Sequence, residues 1–421
     1  MNIKNYKTKI LKKRSINLIP AFTQLLSKNP NRFDYNIWPT YYTKAKGVFI
    51  TDNDNNKYLD MSIASIGSVL TEYADKDIDN AVINSIKNGV SSSLINVNEV
   101  KLAEKLCKMH KWSDQIRFCK SGGEAMSIAV RIARASSGRD KILFSGYHGW
   151  HDWYMSANLK NNNNLNNHLF SNINPLGIPK VLKNTAIPFR FYDNEQLINL
   201  IQKYKNKIAA IIVEPIRNDA PNKIALKNIR KIANKNKIIL IFDEISSGFR
   251  ICNGGSHIKL KVNPDIAVFG KGLGNGYPIA AILGRKKIMK ICEKIFISST
   301  NWMEATGYVA ALNTIKKFEK KKLYKKLIIN GKKVKKIWEE AAKKYNIKLD
   351  IYGIDPLSKF DFKYTKKKNL IAKKILISTM IENKILGSNI YYAMSAHKDE
   401  HFKKFSKALN LAFLKISKKI N

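Results

Sequence analysis

Acidic residues are scarce in this chain. Only 32 of 421 residues are Asp or Glu against 75 Lys or Arg, a formal net charge of +43. Cysteine is rarer still: Cys107, Cys119, Cys252 and Cys292 are the whole set. None forms a C-x-x-C pair or clusters with histidine at metal-site spacing. Neither a disulfide-stapled scaffold nor a zinc site is expected. Thiols this sparse are read as reduced and structural, which fits a cytoplasm. Long apolar runs are missing too. Ile208–Val213 and Ile238–Phe242 fall far short of the roughly 18 residues a membrane helix needs. The basic stretch from Lys4 to Arg14 is followed by a short apolar segment broken by Pro20, so no signal peptide is expected. No Gly/Ser-rich or Pro-rich linker and no internal repeat divides the chain.

What is present is an ordinary globular composition, 44% hydrophobic and 25% charged. That excludes collagen-like, low-complexity and mainly disordered chains. At roughly 100–200 residues per domain, the length fits two to four units, or one large α/β body with an appendage. The cation excess has two readings. One is a surface that binds a polyanion. The other is compositional drift, because Lys, Asn and Ile are all abundant, as in Lys160–Asn167 and Lys227–Ile239. One bias explains all three excesses, whereas a phosphate-binding groove would favour Arg for bidentate contacts. Drift is the reading adopted, and nucleic acid is not an expected partner.

Hydrophobic texture changes along the chain. Val48–Asp60 reads as a hairpin around an Asp/Asn turn. Helical spacing follows at Ile78, Val82 and Ile86, then at Leu102, Leu106 and Met109. From Ile116 to about Gly284, short apolar runs alternate with helical stretches. Strands are expected at Lys141–Ser145, Ala209–Glu214, Ile238–Asp243, Ile266–Phe269 and Ile279–Leu283. Apolar runs separated by helices imply a mostly parallel sheet in an α/β fold. After Gly307 the chain is helical and lysine-rich.

Four stretches carry chemistry. In Phe118–Ser137 a strand ends at Ser121-Gly122-Gly123 and a helix begins, with Ala125, Ala129, Ile132 and Ala133 as its buried stripe. Free N–H groups at such a start can bind an anion, although the glycines also serve a simple tight turn. Ser145–Tyr154 crowds six aromatic or histidine side chains into ten residues. Trp150 and Trp153 are expected in the core, and Tyr147, first after the strand, is the better ligand candidate. In Ile238–Arg250 five apolar residues lead into Asp243-Glu244. A carboxylate at the end of a buried strand needs a partner: a protonated ring nitrogen, a cation, or a structural ion pair or cap. In Asn263–Arg285, Lys271 sits between Gly270 and Gly272 just past a strand. Buried flanks single it out from the other lysines as an amine nucleophile.

Together these stretches resemble the pyridoxal phosphate enzymes of fold type I, specifically the class III aminotransferases and their glutamate-1-semialdehyde 2,1-aminomutase-like group. The resemblance extends over nearly the whole chain, through Gly138–Lys141, Gly146–Gly149, Val213–Pro215, Gly248–Arg250, Pro264-Asp265, Gly270-Lys271 and Ala396–Glu400. It implies an α/β fold: a large domain on a mostly parallel seven-stranded sheet, and a smaller α+β domain built from both termini. The expected boundaries are 1–72 for the N-terminal segment, 73–313 for the large domain and 314–421 for the C-terminal part.

The resemblance assigns pyridoxal 5'-phosphate as cofactor. It makes Lys271 the Schiff-base lysine and proton shuttle, and Asp243 the carboxylate on the pyridine nitrogen. Ser121, Gly122 and Gly123 would bind the phosphate, though many relatives have Thr where Gly123 stands. Tyr147 and Ile245 would flank the ring, with His148 and Glu214 also at the cofactor. Thr300, or its rival Ser299, would reach the phosphate of a neighbouring subunit, so a homodimer is expected. The substrate side departs from the aminomutase. Its P-S-x-F-E-x-x-F segment has no room between Leu386 and Ala396, and Ile216–Asp219 and Lys160–Lys180 differ as well. Arg217 and Asn218 are the substrate candidates. These departures favour an aminotransferase with a separate amino donor and carbonyl acceptor, such as a sugar or acid for a surface polysaccharide. An aminomutase is the alternative, and a non-catalytic polyanion binder on the same fold a distant one.

Overall fold

The computed structural model describes residues 5–166, 168, 173–216 and 222–420. These divide into two compact units. One lies within Asp77–Lys322, and the other draws on both ends of the chain, within Met1–Lys76 and Leu323–Asn421.

The Asp77–Lys322 unit is built on seven strands: β1 (Gln115–Cys119), β2 (Lys141–Ser145), β3 (Ala186–Pro188), β4 (Ile208–Val213), β5 (Ile239–Asp243), β6 (Ile266–Phe269) and β7 (Ala280–Gly284). Their order is β1-β7-β6-β5-β4-β2-β3. Only β7 runs antiparallel to its neighbours. Every residue of β4, β5, β6 and β7 is buried, which explains why Asp243 is the one charged residue among them. In such a sheet the parallel strands deliver their C-terminal residues to one edge, where ligands bind in this class of fold. Here that edge carries Ser145, Val213-Glu214, Asp243-Glu244 and Phe269–Lys271.

Helix α1 (Gly122–Ser137) follows β1 and covers the sheet with Ala125, Ile128, Ala129, Ile132 and Ala133. Its start is a capping box: Ser121 Oγ accepts from the Glu124 N–H, and Glu124 Oε2 accepts from the Ser121 N–H. Gly138, at φ +64°, ends it.

The second unit is α+β. One sheet joins Tyr42–Lys46, Phe49–Asp52 and Lys57–Met61 to Ile385–Gly387 from the other end of the chain. Phe49–Asp52 and Lys57–Met61 pair antiparallel, which is the expected hairpin. Leu349–Tyr352, Leu357–Phe362 and Ile390–Tyr392 form another sheet. Among the described residues no helix is long and apolar enough to cross a membrane.

Candidate active site

The site is assembled where β5 and β6 end. These are neighbouring parallel strands, with Asp243 in register with Val268, so Lys271 follows three residues later beside the carboxylate's strand. Asp243 is 3% exposed. His148 Nδ1 donates to Asp243 Oδ2 at 2.8 Å, and the Ile245 N–H donates to Oδ1 at 3.0 Å. Each oxygen therefore has a fixed donor, and the carboxylate cannot turn without breaking one. His148 is itself buried, stacked on Trp153 and met edge-on by Phe144 and Tyr154. Its hydrogen bond means that it acts on the site through Asp243.

Lys271 opens a one-turn helix, Lys271–Gly274, with φ +45°. That left-handed conformation is costly for any residue with a Cβ. The side chain is half-buried, and its Nζ donates to Ser246 Oγ at 2.7 Å. Ser246 follows Ile245 on the loop after β5, and nothing in the sequence singled it out.

Gly122 and Gly123 occupy the first turn of α1, where N–H groups have no intrahelical acceptor. A Cβ on Gly122 would lie 2.9 Å from Ile245 Cδ1. One on Gly123 would lie 2.9 Å from His151 Cε1. The imidazole, stacked on Trp150 at 4.3 Å, fills that space. Ile245 also lies close to Gly270, so it bridges three of the four sequence stretches. Tyr147 packs on the same core as Ile245, and its N–H donates to Glu214 Oε2 at 2.9 Å. Glu214 thereby positions the loop that carries Tyr147.

Ser299 and Thr300 are exposed at a one-turn helix, Thr300–Met303. This segment is tied to the start of α1: Trp302 Nε1 donates to Glu124 Oε1 at 3.2 Å, and Lys120 pairs with Glu304 at 2.8 Å. Arg217 and Asn218 lie outside the described residues. One expectation fails outright. Trp153 is in the core, but Trp150 is 69% exposed. The positive φ of Gly149 (+100°) turns the chain so that successive residues leave the core.

Behind Asp243 lies a cluster that the sequence did not reveal. Glu244, fully buried, accepts from the His257 N–H and Nδ1 at 2.9 Å each, from Ser256 Oγ at 2.8 Å and from Ser247 Oγ. Trp112 Nε1, which can only donate, bonds His257 Nε2 at 2.9 Å. His257 therefore carries its proton on Nδ1. Burial alone would raise the Glu244 carboxyl, but the His257 and Ser247 hydrogen bonds hold it below its ordinary value.

The aminotransferase class-III family profile matches residues 32–409. The chain belongs to the class III aminotransferases. The 3-aminobutyryl-CoA aminotransferase of Cloacimonas acidaminovorans (strain Evry) is 33% identical over 347 residues, 78% of this chain and 80% of that protein. The glutamate-1-semialdehyde 2,1-aminomutase of Francisella philomiragia is 34% identical over 319 residues, 73% and 72% of the two chains. The fold is shared with the FumI protein of Sphingopyxis sp. MTA144, solved in its PLP form (TM-score 0.87, 23% identity, 96% of this chain and 95% of that one). This class III aminotransferase is thus an enzyme, and its cofactor is pyridoxal phosphate. Its residues fit that group. A buried, doubly anchored carboxylate suits a protonated ring nitrogen. A primary amine stands just past the end of the next strand, and two glycines at a helix start leave a cradle that a Cβ would fill.

Proposed function

We propose that this enzyme moves an amino group from an amino donor to a separate small carbonyl compound, with Lys271 as the amine that holds the cofactor and Asp243 as its ring-nitrogen partner. The observation that carries the assignment is the placing of Asp243 and Lys271 at the same end of adjacent parallel strands. When bound, pyridoxal phosphate supplies an aldehyde to take up the amino group and an electron-withdrawing ring.

The protein's own groups do the rest. Asp243, held by His148 and the Ile245 N–H, keeps a proton on the ring nitrogen. Gly122 and Gly123 N–H groups bind the phosphate. The Ser121 hydroxyl, whose oxygen caps α1, still has its proton to donate there. Tyr147 and Ile245 flank the ring and exclude water from its faces, with Glu214 fixing the Tyr147 backbone. Lys271 Nζ carries the proton to and from the substrate carbon, and Ser246 Oγ holds the amine when it swings free.

The working form is a homodimer in which Thr300, with Ser299 beside it, reaches the partner's phosphate. Leu94, Ile95 and Val97 leave apolar surface exposed at 79%, 67% and 64%, which suits a covered face. The four unpaired thiols suit the cytoplasm. Arg217 and Asn218 contact the substrate.

Intramolecular transfer is the second reading, favoured by the 34% identity to the Francisella aminomutase. Turnover with and without an added keto acid separates the two. A transaminase stops after one equivalent of donor unless the keto acid is present. Sustained turnover of a single amino-aldehyde substrate without it would make the chain an aminomutase.

A further inference from the structure

The backbone of the turn between β1 and α1 sorts its N–H groups into those the protein uses and those it does not. The Lys120 and Ser121 N–H groups donate to Glu124 Oε2 at 3.3 and 2.9 Å. The Glu124 N–H donates to Ser121 Oγ, and the Ala125 N–H to the Ser121 carbonyl at 3.0 Å. Among the described residues of this turn, that leaves the Gly122 and Gly123 N–H groups without an acceptor. One carboxylate, that of Glu124, therefore organises the turn around the two donors that stay open.

Glu124 is itself held from far along the chain. Trp302 Nε1, which can only donate, bonds its other oxygen, Oε1, at 3.2 Å. Trp302 is anchored in turn: its ring packs on the core of the large sheet, and its carbonyl accepts from the hydroxyl of buried Tyr308 at 2.7 Å. On the other side of the glycines, Lys120 Nζ donates to both the carbonyl and Oε2 of Glu304, at 2.8 Å each. Thr306 fixes Glu304, its N–H and Oγ donating to the carboxylate at 2.8 and 2.9 Å. The residue before the Ser121–Gly123 run and the residue after it thus both reach one short segment, 184 and 178 positions away in sequence. A free Gly-Gly turn samples many backbone conformations. A clamp on both of its ends removes that freedom before any ligand arrives, so less ordering is left to oppose binding.

We propose that Trp302 is a positioning residue for the cofactor's phosphate. Acting through Glu124, and together with the Lys120–Glu304 pair, it presets the Gly122 and Gly123 N–H groups, so the preference for the phosphorylated form of the cofactor depends on a residue that does not touch it. This rests on the reading that Ser121, Gly122 and Gly123 bind the phosphate.

The test is a titration of the full chain, stripped of cofactor, with pyridoxal phosphate and with pyridoxal, which lacks the phosphate, each followed by the visible band. Unsubstituted protein should bind pyridoxal phosphate at least about tenfold more tightly than pyridoxal. Trp302→Phe, which removes the N–H and keeps most of the packing, should weaken pyridoxal phosphate about tenfold and leave pyridoxal within about twofold. Glu304→Gln, which loosens Lys120 at the other end of the turn, should show the same selectivity, and it carries the test if Trp302→Phe does not fold. Unaltered affinity for pyridoxal phosphate in these variants would overturn the proposal. So would an equal loss for both compounds, the mark of a fold loosened in general. Unsubstituted protein that binds the two compounds alike would remove the phosphate cradle itself, and the proposal with it.

Discussion

Asp243 and Glu244 are adjacent in sequence and chemically alike, yet they leave the end of β5 into different surroundings. Asp243 meets one imidazole and one backbone N–H at the edge where Lys271 stands. Glu244 meets His257, Ser256 and Ser247 behind it and is closed off from solvent. The alternation of a strand separates them, because neighbouring side chains point to opposite faces. One acid is anchored and still has capacity for a ligand. The other is saturated by the protein and serves the fold. The lesson is that burial alone does not mark a functional carboxylate; what matters is whether the protein has already used its lone pairs.

Four changes would break or sharpen this contrast. Lys271→Ala should have the largest effect: loss of the visible band of the loaded protein and a fall in turnover of about 10³-fold or more. A spectrum that still shows the borohydride-sensitive band would remove Lys271 from its role. Asp243→Asn should reduce kcat by about 10²–10³-fold, the range for one charged group aimed at a reacting centre, with little change in melting temperature. Near-normal turnover would mean that the ring nitrogen has no need of the charge.

Glu244→Gln should show the reverse pattern. It disturbs several buried hydrogen bonds at once and should cost about 2 kcal/mol or more of stability, read by denaturant unfolding. The cofactor band should persist in whatever protein remains folded. A large loss of turnover with normal stability would erase the distinction between the two acids.

The last test concerns acid. Burial pushes the His110 imidazole, next to His257, down to about 4, and burial does the same to His397 in the other unit. Unfolded histidines titrate near 6.5. Between those values the unfolded chain binds more protons, so stability is fully present above about pH 6.5 and is lost as pH falls towards 4. Melting temperatures measured across that window should decline, and His110→Asn should flatten part of the decline.

Much of the large sheet was legible because buried parallel strands are written as apolar runs. Ile266–Phe269 and Lys141–Ser145 match their expected limits, and the other three expected strands shift by a single residue. The three-residue edge strand Ala186–Pro188 was not legible, being short and ending in proline. Asp243 and Lys271 stood out because strand ends and glycine turns have clear signatures. Ser246 and the Glu244 cluster did not. Their significance comes from contacts across large sequence separations, such as the 145 residues between Trp112 and His257. Trp150 was misjudged because hydrophobic size was taken as burial, with no allowance for the turn at Gly149.

The left-handed backbone at Lys271 has a consequence for how this protein could change over time. A side chain is held at φ +45°, where glycine would be the relaxed choice. Loss of the amine, once its chemistry is no longer selected, would relieve the fold rather than wound it. Descendants that keep this architecture without its reaction should therefore accumulate glycine at position 271, and should withstand heating better than their working ancestor.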